Sequence, residues 1–166
     1  MKTTAHKIVT AAMLAAFVCV ATMILKIPSP LKGYINLGDC AILLSGWLLS
    51  PLYGFLAAGI GSALADAFLG YVSYAPATFI IKGVMALIAY YGFNRLDRKI
   101  GNMPSRIISG IFSEAIMVLG YFVFEGLLYG FLPSAVNIPA NAVQGVVGLI
   151  LGTILIKIFE KNKIMM

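Results

Sequence analysis

The sequence predicts an all-α integral membrane protein of six transmembrane helices, and three observations predict it. Hydrophobic residues make up 61% of the 166 and charged residues 11%, too few to give a soluble domain of this size a charged shell. The polar residues are clumped, which leaves apolar stretches near the roughly 20 residues that a bilayer-crossing helix needs. Lysine and arginine flank those stretches, as topology determinants do. No segment is left for a second domain, so 1–166 reads as one membrane domain.

The first span, 8–25, follows Lys2 and Lys7. It is too long for the apolar core of a signal peptide and has no small-x-small site before Lys26. Pro28 and Pro30 then open an outer loop. The second span, 38–50, is short, and is expected to be tilted, broken or partly interfacial. Pro51 separates it from the third, 52–70, and Pro76 opens the fourth, 76–94. Pro104 precedes the fifth, 105–130, while Pro133 and Pro139 bracket the start of the sixth, 137–158. Proline is tolerated in loops and in a helix's first turn, so these residues punctuate the spans without breaking them.

Orientation follows from the basic residues. Lys2, Lys7, Arg95, Arg98, Lys99, Arg106, Lys157, Lys161 and Lys163 lie on the side of the N-terminus, against Lys26 and Lys32 opposite. This bias puts both termini in the cytoplasm and the connections 26–37, 71–75 and 131–136 outside. The same distribution argues against nucleic acid as the reason for the net charge of +6.

Nothing in the chain resembles a G-x-x-x-x-G-K-[ST] loop, H-E-x-x-H, G-x-S-x-G or a Cys/His cluster. Cys19 and Cys40 read as small packing residues, and His6 has no neighbouring ligands. No metal, no cofactor and no catalytic residue is expected. Energy for transport must then come from an ion gradient or a partner chain.

Ionisable residues inside a membrane span are costly and are functional candidates. Here they are Asp39, Asp66, Lys82, Glu114 and Glu125, and all except Glu114 sit toward the outer side. Asp66 and Lys82 either form a structural ion pair between the third and fourth spans or contact a ligand. Glu114, Met117, Tyr121 and Glu125 share one face of the fifth span. Asn137, Asn141, Gln144, Gly148 and Gly152 form a stripe on the sixth, polar outside and small inside. Gly54, Ala58, Ser62, Asp66 and Gly70 give the third a small-residue face for close packing. Together these describe a polar pocket open to the outside, with Tyr34, Tyr71 and Tyr74 placed to close over a flat ligand. The substrate-binding candidates are Tyr34, Asp39, Tyr74, Lys82, Tyr121, Glu125, Asn137, Asn141 and Gln144. Carboxamides one turn apart, Asn141 and Gln144, suit the edge of a heterocycle.

The segments YINLGD (34–39), GIGSALAD (59–66), GYVSYAPATFIIKG (70–83) and NIPANAVQG (137–145) resemble the S-components of energy-coupling factor (ECF) transporters. The likeness is to the riboflavin and hydroxymethylpyrimidine transporter-like branch and covers nearly the whole chain. It implies a six-helix, vitamin-binding subunit in the plasma membrane of a bacterial-type cell. It also implies partners: a membrane coupling subunit and two cytoplasmic ATPases. In the family an alanine motif on the first helix docks on the coupling subunit, and TAAMLAAF offers two overlapping candidates, Ala11 with Ala15 and Ala12 with Ala16. The acidic bias of the spans favours a small neutral or protonatable ring of the pyridoxine or hydroxymethylpyrimidine type, with riboflavin as the alternative. A competing class is a stand-alone proton-coupled carrier using Asp66, Glu114 or Glu125. An intramembrane enzyme has little support without a histidine, a nucleophile or a metal cluster.

Overall fold

The computed structural model describes residues 4–29 and 33–162. Lys2, Pro30, Lys32 and Lys163 lie outside the described residues. Helix α1 (Thr4–Ile24) is followed by a two-stranded ribbon, β1 (Ile27–Pro28) and β2 (Tyr34–Ile35). Then come α2 (Gly38–Leu48), α3 (Pro51–Phe68), α4 (Ala75–Ile100) and α5 (Asn102–Tyr129). A short turn of helix α6 (Phe131–Ser134) and a 3-10 turn (Ala135–Asn137) lead into α7 (Ile138–Lys161), which is the sixth span of the sequence. Five of these helices, counting α6 and α7 as one run, are long and apolar enough to cross a membrane.

Helix α2 departs from its expected place. Its 11 residues extend only about 16 Å, yet it is neither tilted to the surface nor interfacial. Residues Gly38 through Trp47 are all buried, because a helix apolar on every side belongs inside a bundle. It packs against α1, α3, α4 and α7. Its flanking residues Asn36 and Leu49 are buried as well, so the ends of this short helix meet protein and not lipid. Pro51 in the first turn of α3 fixes the reversal that follows.

The other helices form the wall, in the spatial order α1, α3, α4, α5, α7. Leucines and isoleucines such as Ile24, Leu127 and Leu132 project outward, as expected where the solvent is lipid. Apolar packing fills the inner and middle levels: Leu14, Leu43, Leu44, Trp47 and Ile156 in one cluster, and Val18, Ile42, Met85 and Met117 in the next. The small-residue face of α3 is buried from Gly54 through Asp66, while Gly70 lies beyond the helix and is exposed. On α1 the two alanine pairs separate. Ala11 is buried in the inner cluster and Ala15 packs against it, whereas Ala12 and Ala16 face outward. Ala11 is thus turned into the bundle, while Ala15 stays half-buried.

The ribbon was not expected in an all-α chain. Ile27 pairs with Ile35 and Pro28 with Tyr34, which holds the Tyr34 ring over the outer end of the bundle.

Candidate substrate site

Seven elements meet at the outer end, and each contributes polar groups. Helix α2 begins there with Asp39 in its first turn, its start fixed by the Gly38 N–H donating to Asn36 Oδ1 at 2.8 Å. Lys82, from α4, ion-pairs with Asp39 Oδ1, both side chains being fully or almost fully buried. Gln144 Nε2, from α7, donates to Asp39 Oδ2 at 2.6 Å, and the Asn36 N–H donates back to Gln144 Oε1 at 2.9 Å. A Cβ on Gly148 would stand 2.7 Å from Asp39 Cβ, so α7 reaches Asp39 only because that residue is glycine. Asp39 is thus hydrogen-bonded as well as opposed, and the Lys82 ammonium also lies 5.4 Å from the centre of the Tyr121 ring.

Above this floor lies a small cavity of about 30 Å³. Tyr34, Tyr74, Tyr121, Glu125, Asn141 and Gln144 line it, joined by Ser29, Gly33, Asn36, Asp66 and Thr78. Tyr34 donates its hydroxyl to Asp66 Oδ1 at 2.6 Å, and burial, then the Asp66 charge, push that phenol above its usual pKa range. Thr78 and Tyr121 share a hydrogen bond of 3.1 Å. Asn137 Nδ2 donates to Glu125 Oε2 at 2.9 Å, and Tyr74 donates to Glu125 Oε1 at 3.5 Å. Among the described residues, Asp66 Oδ2 and Ser29 Oγ are buried with no hydrogen-bond partner.

A wider vestibule of about 360 Å³ opens outward between the ribbon and the start of α4, lined in part by Tyr71 and Tyr129. It shares Ser29, Gly33 and Tyr74 with the inner cavity, so these three residues form the partition between outside and site. The Tyr34 and Tyr71 rings lie 4.9 Å apart, with Lys26 4.7 Å from the Tyr71 ring centre.

Several expected roles change. The Asp66–Lys82 pair is replaced by Asp39–Lys82, and Asp66 instead holds Tyr34. The physical reason is packing: α2 brings Asp39, anchored by Gln144 of α7, against Lys82, while the Tyr34 hydroxyl occupies Asp66. Asp39, Lys82 and Asn137 are behind the cavity wall, positioning Gln144, Tyr121 and Glu125 instead of lining the space. Glu114 also stands outside the cavity, its carboxyl against Gly145 and Gly148. Sequence reasoning missed Asn36 and Thr78. Asn36 sits two residues before the start of α2, a capping position, and Thr78 lies one turn from both Tyr74 and Lys82.

Residues 2–161 match the family described as ECF-type riboflavin transporter, S component. The chain belongs to this family. As an ECF S component it is an integral membrane transport subunit, not an enzyme. A Pyrococcus woesei sequence described as an uncharacterized protein in a gap 3' region is 38% identical over 136 residues, covering 81% of this chain and 88% of that one. The thiamine precursor transporter HmpT of Lactococcus lactis subsp. cremoris is 26% identical over 139 residues, covering 84% of this chain and 77% of HmpT. Among solved structures, the S component of a bacterial ECF transporter superposes with a TM-score of 0.78 at 22% identity, covering 98% of this chain and 99% of that one. The S-component for biotin from an ECF-type ABC transporter gives 0.56 at 21% identity, with 95% of each chain covered. These structures share the fold, and the family assignment rests on the sequence match.

Proposed function

We propose that this S component captures a small, donor-bearing heterocycle of the hydroxymethylpyrimidine or pyridoxine type from outside the cell. It releases the ligand inward when a membrane coupling subunit and two cytoplasmic ATPases drive it, in the cell membrane. One observation carries the substrate class. The buried cation, Lys82, is consumed by Asp39, so among the described residues the cavity is lined by two carboxylates and three carboxamides with no opposing cation. Such a lining favours N–H and O–H donors and repels anions. The similarity to HmpT, described as a thiamine precursor transporter, supports a single ring over the three fused rings of riboflavin.

In this reading Asp66, Glu125, Asn141 and Gln144 take the ring's polar edge while Tyr34, Tyr74 and Tyr121 cover its faces. Ser29, Gly33 and Tyr74 part to admit it. On α1, Ala12 and Ala16 form the docking face for the coupling subunit, since they leave room for close helix approach. The test is calorimetric titration of the detergent-purified protein with hydroxymethylpyrimidine, pyridoxine and riboflavin. Binding of a single-ring compound at least tenfold tighter than riboflavin is expected, and tight binding of riboflavin alone would overturn the small-ring assignment.

A further inference from the structure

The inner half of the α4–α5 face carries a groove that the substrate site does not use. It encloses about 370 Å³ and is lined by Ile88, Tyr91, Arg95, Ser109, Phe112 and Ile116, with Gly92 at its floor. A Cβ on Gly92 would fall 2.8 Å from Ser109 Cβ, so the two helices touch there with nothing projecting between them. Arg95 and Ile88 are two helical turns apart, about 10 Å along the axis. The groove therefore runs along the membrane normal, basic at the inner interface and apolar toward the bilayer centre.

Arg95 is exposed and belongs to neither of the ion pairs among the described residues. Arg98 and Lys99 follow it in the last turn of α4. Asp97, the one acid nearby on that helix, is two residues on and so projects from the opposite side. A guanidinium above an apolar channel matches a phosphate above an acyl chain.

We propose that this groove binds an anionic phospholipid of the inner leaflet, its phosphate on Arg95 and one acyl chain along Phe112, Ile88 and Ile116. Position selects lipid over protein as the occupant. Helix α1 packs on α2 and α3, away from the α4–α5 face, so a partner seated on Ala12 and Ala16 leaves the groove turned to the bilayer.

Native mass spectrometry of the full chain, in neutral detergent with phosphatidylglycerol and phosphatidylcholine of identical chains, tests the assignment. The protein is expected to retain one phosphatidylglycerol several-fold better than phosphatidylcholine. Arg95→Gln should abolish that preference, Arg98→Gln should keep it, and Ile116→Trp, which fills the channel, should release both lipids. If the tryptophan variant does not fold, Phe112→Ala should still weaken retention by removing one wall. The proposal fails if the unaltered chain shows no preference, or if Arg95→Gln keeps it. It also fails if Arg98→Gln loses the preference equally, or if these variants block assembly with the coupling subunit while lipid retention is unchanged.

Discussion

The two ends of the bundle bury polar groups in opposite ways. At the inner end Arg106 donates to Glu160 at 2.7 Å and to Asn102 at 2.9 Å, and lies over the rings of Phe93 and Trp47. Trp47 donates in turn to Ser109 at 3.1 Å. This cluster ties α2, α4, α5 and α7 together around packed rings. At the outer end Asp39 is held by Lys82 and Gln144. Beside it Asp66 Oδ2 and Ser29 Oγ, with no hydrogen-bond partner among the described residues, belong to residues that line a cavity. The one such atom of the inner cluster, Arg106 Nη1, lies among packed rings instead. Unmet polar atoms cost stability wherever they are buried, those of Glu114 included. The ones on Asp66 and Ser29 differ in belonging to residues that line a cavity, whereas the inner cluster reads as a fastening.

The contrast can be broken most forcefully at the floor. Lys82→Met leaves Asp39 charged, buried and unopposed, and should cost about 3–5 kcal/mol of stability. The double variant Asp39→Asn with Lys82→Met should recover most of that loss in a denaturant titration. A harmless single variant would show that the pair holds nothing.

Next come the groups facing the cavity. Gln144→Ala removes both a proposed ligand contact and the donor to Asp39, and should weaken ligand binding by roughly 10–100-fold, about 1.4–3 kcal/mol. Asn141 holds no hydrogen bond among the described residues, so Asn141→Ala should weaken binding by a smaller factor with the melting temperature unchanged. Equal losses of stability in both would erase the distinction between wall and support. At the inner end, Arg106→Gln should lower stability by about 1–3 kcal/mol with ligand affinity preserved. A large affinity loss there would show the two ends to be coupled.

The smallest effects on stability, and the sharpest on assembly, belong to α1. Ala12→Trp or Ala16→Trp should leave the melting temperature within a degree or so of the parent and still prevent co-purification with the coupling subunit. Ala11→Trp should instead overpack the inner cluster, at about 1–3 kcal/mol.

The comparison also shows what the sequence can express. Hydropathy located the five long helices, because lipid demands a long apolar run wherever a helix crosses, though it ended the fourth at 94 where the polar last turns of α4 continue to Ile100. The same rule hid α2, since an apolar segment too short to span carries no mark of whether it lies at the interface or at the centre. It also hid which alanine pair of α1 faces in. With lipid as apolar as a protein core, neither side of the helix has a polar stripe to distinguish it. The outer polar residues were legible as a group from their depth and helical spacing. Their partners were not: Asp39 and Asp66 lie at similar levels, and only the packing of α2 and α7 decides which of them meets Lys82. Asn36 and Thr78 escaped because neutral residues in an outer loop or first turn need no explanation until a cavity is seen beside them.

Uptake of radiolabelled hydroxymethylpyrimidine into proteoliposomes tests the central claim, a receptor that depends on a separate motor. The purified chain alone, under an inward proton gradient, should bind the compound at the outer face without accumulating it. Accumulation should appear only when the coupling subunit, the two ATPases and ATP are supplied. Sustained accumulation by the chain alone, driven by the proton gradient, would contradict this account.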